Sequence, residues 1–196
     1  MTRRIVLVFA ALLLIALGLG VYAWQLKRKV ARDEELATQQ QLAMAPPAAG
    51  PPTPVTLYIA SDPDAALRRS KTSLVLPAER SERARAVLRA LFGAYLQSSS
   101  PHPIGAGADV RDVYLLGENT AVVDTNSVFA DKHPSGVLAE ELTVASIVAT
   151  LNANDNQIQR VKILVNGQER ETLAGHADLQ RFYLASNIGQ VVKDLQ

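Results

Sequence analysis

The N-terminal region contains twenty consecutive residues without a charge, from Ile5 to Trp24. An α-helix rises about 1.5 Å per residue, so a helix of this length reaches about 30 Å, the hydrocarbon thickness of a bilayer. A helix in a soluble core seldom has apolar residues on every face. The segment therefore predicts a transmembrane helix, and the 196-residue chain has room for one further domain of ordinary size.

A cleaved signal peptide is the alternative interpretation of the same segment. Arg3 and Arg4 supply the basic start of such a peptide, and Val21 and Ala23 supply small residues for a cleavage site. The apolar stretch of a signal peptide, however, is only about 7 to 15 residues long. This one is longer and ends in Trp24, a residue type enriched at membrane interfaces. We therefore predict an uncleaved anchor.

Composition divides the chain into four segments. Residues 1–29 form the predicted anchor with its basic flanks, and residues 30–54 form a linker rich in glutamine and proline. Because proline fixes φ and removes an amide donor, this linker should be an extended spacer rather than part of a core. Residues 55–183 form the predicted folded domain, and residues 184–196 form a C-terminal tail.

Charge differs between the two ends of the chain. Residues 1–54 carry a net charge of +3, whereas residues 55–196 carry a net charge of −2. A mildly acidic domain argues against nucleic acid as a partner, because phosphate neutralisation supplies most of that binding energy. Basic residues flank both ends of the apolar segment, so the positive-inside rule alone does not give its orientation.

The apolar pattern of the domain predicts the order strand, strand, helix, strand, strand, helix, strand. This order is typical of an α+β fold, here a two-layer sandwich in which a mixed sheet of about five strands carries both helices on one face. The transmembrane helix precedes it. The predicted strands are 55–60, 72–77, 110–116, 121–124 and 159–165, and the predicted helices are 81–96, with Ser81 as N-cap, and 135–151.

The histidines are the first candidates for catalysis or metal binding. His102, His133 and His176 do not lie within four residues of one another, and the chain has no cysteine, so the spacing of a zinc site is missing. We expect His102 to be an exposed loop residue, His133 to precede the second helix, and His176 to bond to nearby backbone. We predict no metal and no cofactor.

Three acidic residues are weaker candidates for general acid–base catalysis. Glu140 and Glu141 are adjacent on the second predicted helix, so their side chains point about 100° apart and cannot face one substrate atom. Their position in its first turns favours the positive end of the helix dipole. Asp124 ends a predicted strand, where a turn-forming role is common. We predict no catalytic residue and no enzymatic activity.

A basic segment stands out from the acidic background of the domain. Between residues 68 and 89 the local net charge is +5, which suits an acidic envelope polymer or anionic headgroups. The alternative is a solvated helix face with intrahelical pairs such as Glu79–Arg83 and Glu82–Arg85. The candidate interaction patch consists of Arg68, Arg69, Lys71, Arg80, Arg83, Arg85 and Arg89.

Four sequence blocks resemble a known family. They are VTLYIA at the first strand, LVLPAERS at the entry to the first helix, AVVDTNSVF at the end of the hairpin, and VKILVNGQERETLAGHADLQRFY near the end. Together they make residues 55–182 resemble the GerMN domain, a sporulation and spore germination domain of bacterial envelope proteins. The resemblance implies a non-enzymatic domain displayed outside the cytoplasmic membrane, which places the C-terminal domain on the extracytoplasmic side of a single-pass anchor.

The resulting hypothesis is a membrane-anchored interaction module of the bacterial cell envelope. Its expected partners are the membrane, an envelope protein, a cell-wall polymer or a second copy of itself. Two alternatives stay open: a hydrolase acting on cell-wall material, and an assembly subunit whose domains stack into rings. Because the chain has one such domain and no cysteine for lipid attachment, the resemblance does not imply a spore-specific role.

Overall fold

The computed structural model describes residues 50–190, which belong to one compact unit. None of the helices in this part is long and apolar enough to cross a membrane. The predicted span at Ile5–Trp24 lies outside the described residues. The elements are β1 (Thr53–Ser61), β2 (Ala66–Leu74), α1 (Arg80–Tyr95), β3 (Val110–Leu116), β4 (Thr120–Thr125), α2 (Ser127–Asp131), α3 (Val137–Asn154), β5 (Arg160–Val165), β6 (Tyr183–Leu184) and a 3-10 turn (Ala185–Asn187).

Strands β3 to β6 form a mixed four-stranded sheet in the order β3-β4-β5-β6. The predicted hairpin is confirmed as antiparallel β3 and β4, whereas β4 and β5 are parallel. Parallel neighbours need a long crossover, and α2 and α3 lie in it. One face of the sheet carries Val113, Val123, Val161 and Ile163, all buried in the core that the helices share.

Strands β1 and β2 form a separate two-stranded sheet. Their antiparallel pairing runs without a bulge from Thr53 opposite Leu74 to Ser61 opposite Ala66, and a turn that contains Ala65 at φ 47° joins them. The prediction of a single sheet of about five strands is therefore wrong: there are two sheets and six strands among residues 50–190.

The edge of β1 that faces away from β2 explains why the two sheets are separate. Its backbone groups bond to helix side chains instead of a strand. Asn154 accepts from the Thr56 N–H at 3.0 Å and donates to the Thr56 carbonyl at 2.7 Å. Thr150 Oγ1 accepts from the Tyr58 N–H at 2.9 Å, and the Tyr95 hydroxyl accepts from the Ala60 N–H at 3.0 Å. Because these donors and acceptors are satisfied, no further strand is needed at this edge.

The central part of helix α3 is enclosed on all sides rather than packed on one sheet face. Its buried residues include the continuous run from Leu142 to Val148, and Thr150 and Leu151 beyond it. The expectation that both helices lie on one face with a single apolar stripe is therefore wrong for this helix. Small and hydroxyl-bearing residues make the enclosure possible, because they fill tight space and bond to backbone.

Helix α1 confirms the predicted helix, with a different cap. The Glu79 side chain, rather than Ser81, accepts from the backbone N–H groups of Ser81 and Glu82. The Ser81 hydroxyl donates to the same carboxylate, and this hydrogen bond lowers the pKa of Glu79 the most. The two backbone hydrogen bonds lower it further. The short helix α2 was not predicted, although Asn126 is an N-cap residue whose side chain accepts from the Phe129 N–H at 3.1 Å.

Strand boundaries differ most at β2 and at the C-terminal end. The second strand was predicted at 72–77 but occupies Ala66–Leu74, where basic and hydroxyl residues hide the usual apolar alternation. The predicted Asn166-Gly167 turn is confirmed, since both residues have positive φ, 52° and 73°. Strand β6 was missed because its two residues are too short for a periodic pattern.

The β1 edge gives a test by isosteric substitution. Thr150→Val keeps the shape of the side chain but leaves the Tyr58 N–H without an acceptor, so we expect the free energy of unfolding to fall by about 1–2 kcal/mol. Denaturant titration of the unit Ala48–Gln196 measures this change. Thr72→Val, on exposed β2, is the matched control and should be near neutral; equal effects would contradict the edge assignment.

Candidate functional site

Two of the three histidines meet at one buried hydroxyl group. Thr143 Oγ1 lies 2.6 Å from His102 Nε2 and 2.7 Å from His133 Nε2, and it also lies 3.0 Å from the Ala139 carbonyl. Because a hydroxyl has one proton to donate, at least one imidazole must donate to it. His102 Nδ1 lies 2.5 Å from Asp62 Oδ1. The chain Asp62–His102–Thr143 thus has the contact order of a catalytic triad.

Burial prevents this chain of contacts from acting on a substrate. Thr143 is 0 % exposed and His102 is 1 % exposed, so the prediction that His102 is an exposed loop residue is wrong. His133 precedes α3 as predicted, but it is buried too, with Nδ1 2.7 Å from the Pro134 carbonyl. Burial lowers the pKa of His133, which the contact with Pro134 opposes. The network joins the β1–β2 turn, the 98–109 loop and α3.

Glu140 is the main polar anchor of the C-terminal segment. Its carboxylate, 0 % exposed, accepts from the N–H groups of Gly136, Ala174, His176 and Ala177 at 2.8–3.1 Å. Burial alone would raise the pKa of Glu140, but these hydrogen bonds, together with His176 Nδ1 at 2.8 Å, lower it to about 2. Both the backbone N–H and Nδ1 of His176 thus contact the carboxylate of Glu140, 36 positions away, and the prediction that His176 bonds to nearby backbone is wrong.

Glu141 has the opposite environment from its neighbour. Its Oε2 is buried and has no hydrogen-bond partner among the described residues, and its Oε1 lies 3.4 Å from Arg181. Burial raises the pKa of Glu141, the charge of Arg181 lowers it, and the charge of Glu140 raises it further. For Glu140, by contrast, the predicted structural role is confirmed. It depends on hydrogen bonds to the 174–177 segment and not on the helix dipole alone.

The remaining acidic candidate also has a structural position. Asp124 Oδ1 accepts from the Gly167 N–H at 2.6 Å, and Oδ2 lies 3.4 Å from Arg111. The carboxylate thereby fixes the Asn166-Gly167 turn against β4. Within residues 50–190, no three side chains among His, Asp and Glu are placed to hold a metal ion.

Most basic residues of α1 form ion pairs with acidic residues of the same domain. Arg80 pairs with Asp155, Arg85 with Glu82, and Arg89 with Asp109 at 2.8 Å. Arg83 instead donates to the Ala78 carbonyl at 2.9 Å. Of the two intrahelical pairs considered from the sequence, only Glu82–Arg85 is a direct ion pair; Glu79 caps the helix. Part of the positive charge predicted for the patch is therefore paired with acidic side chains or bonded to a backbone carbonyl.

The basic residues of β2 have fewer acidic partners than those of α1. Arg68 pairs with Asp64 at 2.7 Å in the hairpin turn. Arg69 and Lys71 are exposed and form no ion pair within residues 50–190. These two side chains lie on the same face of the hairpin, because both belong to alternate positions of one strand.

A surface groove lies where α1 begins and α3 ends. It has a volume of about 550 Å³ and an apolar floor that includes Leu76, Val87 and Ile158. Its polar lining includes Arg80, Arg83, Asn154 and Asp155. Of the seven predicted patch residues, the groove brings Arg80 and Arg83 together.

Comparison with known families identifies the fold. The family model described as Sporulation and spore germination, called Germane, matches residues 56–171, which is more than half of the chain. The chain belongs to the GerMN (Germane) family. This match supports the resemblance found in the four sequence blocks.

Two solved structures are similar to the folded part of the chain. The tandem GerMN domains of the sporulation protein GerM from Bacillus subtilis match at 20% identity and a TM-score of 0.50, covering 66% of this chain and 44% of that one. A candidate lipoprotein from Clostridium perfringens matches at 16% identity and a TM-score of 0.49, covering 71% and 91%. No curated protein matches the sequence significantly. The GerM likeness shows a shared fold.

The buried network of this GerMN domain was not predictable from spacing. His102 and Thr143 lie 41 positions apart, and Glu140 and His176 lie 36 apart. One signal was available: His102 lies between two prolines and His133 precedes a third, which restricts the backbone at both positions. Such restriction is compatible with a fixed role for each imidazole.

Neighbouring glutamates of the GerMN domain give a paired test. Glu140→Gln should lower the free energy of unfolding by about 3 kcal/mol at neutral pH, because several buried N–H donors lose a charged acceptor. Glu141→Gln should leave it unchanged or raise it, since that carboxylate is destabilised by burial. Denaturant titration at several pH values measures both.

The pH dependence of the same variants has a defined sign. The folded pKa of Glu140, about 2, lies below its ordinary value of 4.5, so its stabilisation is complete above pH 4.5 and is lost as pH falls toward 2. The wild-type domain should lose stability in that window, and the part due to Glu140 should be absent in Glu140→Gln. Identical pH profiles would contradict this assignment.

Proposed function

We propose that this GerMN chain is a membrane-anchored binding module of the bacterial cell envelope that engages an anionic partner. The observation that carries the proposal is the groove between α1 and the end of α3. Arg80 and Arg83 lie beside its apolar floor, so an acidic group and an adjoining apolar segment can be held together. Arg83 is the more available of the two, since Arg80 pairs with Asp155.

The arrangement of the polar residues favours binding over hydrolysis. His102 and Thr143 of the triad-like chain are buried, the Glu140 carboxylate accepts from backbone N–H groups, and Asp124 faces the Gly167 N–H through Oδ1 and Arg111 through Oδ2. A general acid or base must reach the proton that it transfers. Charged groups with spare capacity lie instead on the surface, at Arg83 and along β2. A non-catalytic role accounts for both facts.

The groove is tested by charge reversal with purified cell-wall sacculi as the probe. Arg83→Glu in the full chain should weaken co-sedimentation by about threefold or more at low salt, because a favourable surface charge becomes unfavourable. Raising the salt should reduce the wild-type binding as well. Lys132→Glu, at an exposed site away from the groove, changes the net charge equally and is the matched control. Equal loss in both variants would contradict a groove-specific role.

The proposed anchor is tested by topology. A reporter enzyme that is active only outside the cytoplasm, fused after Gln196, should be active in the full chain and should fractionate with the membrane. Deleting residues 1–29 should abolish both properties, because the domain would lose its only predicted apolar span. An inactive fusion of the full chain would reverse the proposed orientation.

A further inference from the structure

The outer edge of β2 is a hydrogen-bonding edge that no described residue covers. On β1, the groups of Thr56, Tyr58 and Ala60 point toward the helices. The intervening residues therefore bond to β2, where their opposite partners include Ser70 and Thr72. In an antiparallel pair these positions alternate. The backbone N–H and C=O groups of Arg69 and Lys71 consequently point outward.

The side chains of this edge have the same sign of charge. Arg69 and Lys71 are exposed and lie two positions apart, so they project from one face. A strand added to the edge would place its residues directly opposite them at two alternate positions. Cross-strand pairs of opposite charge are favourable, and like charges directly opposite are unfavourable. The edge is therefore complementary to an acidic strand.

We propose that β2 binds an extended acidic segment of a partner protein by strand addition, with acidic side chains at positions i and i+2 opposite Arg69 and Lys71. Backbone hydrogen bonds would supply affinity, and the two ion pairs would select the sequence and fix its register. The inference goes beyond the proposed function, because it concerns a different surface from the groove and a partner of its own chemistry.

Edge protection and self-association are the competing roles for the basic residues of β2. Lysine and arginine on an edge strand protect proteins against edge-to-edge aggregation, which requires charge but no ligand. A second copy of this chain is a poor occupant in an antiparallel arrangement centred on this segment, because basic residues would then face basic residues. An acidic strand satisfies the backbone groups and the charges together.

The test uses the full chain in detergent and three labelled nine-residue peptides, measured by fluorescence anisotropy. The first peptide alternates glutamate with valine, the second alternates lysine with valine, and the third is the glutamate peptide N-methylated at its glutamate amides. The native chain should bind the first at least tenfold more tightly than the other two, because the second has repulsive pairs and the third lacks the bonding N–H groups.

Charge exchange supplies the specificity control. The variant R69E/K71E should lose about tenfold in affinity for the glutamate peptide and gain affinity for the lysine peptide. Hydrogen exchange should slow at the amides of Arg69 and Lys71 when the glutamate peptide binds, and the variant K132E, which changes the charge of an exposed residue outside both β2 and the groove, should behave as the native chain. This result would support strand addition at β2 whether or not sacculus binding fails.

Several outcomes would overturn the inference. Equal binding of the N-methylated peptide would show attraction by charge alone. Equal affinity of the native chain and R69E/K71E for the glutamate peptide, or increased aggregation of the variant without any peptide binding by the native chain, would leave edge protection as the role of these residues. Peptide binding that appears only after D33N/E35N would assign the edge to the chain's own acidic segment.

Discussion

The hydrogen bonds between β1 and the side chains of two helices determine the arrangement of the domain. An open strand edge next to a helix would leave backbone groups without partners in a partly buried place. Asn154 substitutes for a neighbouring strand by bonding to both the N–H and the carbonyl of Thr56. Burial raises the pKa of Tyr95 to about 12, so its hydroxyl stays neutral while it accepts from Ala60. The β1–β2 hairpin is thus bonded to α1 and α3 and does not pair with a strand of the four-stranded sheet.

Polar groups also hold together the segments that contain little regular structure. Thr143 connects two histidine-bearing loops to α3, and Glu140 holds the 174–177 segment against the start of the same helix. A buried carboxylate is costly unless it receives several hydrogen bonds, and here it receives them from backbone groups that would otherwise be unpaired. The Glu140 carboxylate and the N–H groups of the 174–177 segment therefore supply each other's hydrogen-bond partners. Residue types that suggest chemistry serve in this GerMN domain to fix its loops.

The sequence predicted the elements with strong periodicity and missed the contacts between them. Helix α1 and the β3–β4 hairpin have apolar spacing that depends only on near neighbours, so both were recognised. The split into two sheets was not, because it depends on Asn154 and Thr150 meeting β1 from about 95 positions away. Strand β2 was misplaced since its exposure on most positions removes the alternation. His102 was misjudged because flanking prolines suggest a loop but do not reveal that its imidazole points inward.

The predicted patch shows the same limitation. Seven basic residues are close in sequence, yet α1 turns Arg85 and Arg89 toward β3, whereas β2 directs Arg69 and Lys71 to solvent. Sequence proximity indicated a local excess of charge. The distribution of that charge depends on which acids come near, and Asp109 and Asp155 do so only in the folded chain.

The position of β1 has a mechanical consequence. It is the first strand of the described region, so tension on the preceding chain enters the domain at Thr53. Hydrogen bonds of a strand run perpendicular to its axis, and β1 has such bonds along both edges. A pull along the strand would load many of them at once instead of opening them one after another. Force applied along β1 would therefore act on the β1–β2 hairpin in shear. The side chains of α1 and α3 would resist it together with β2.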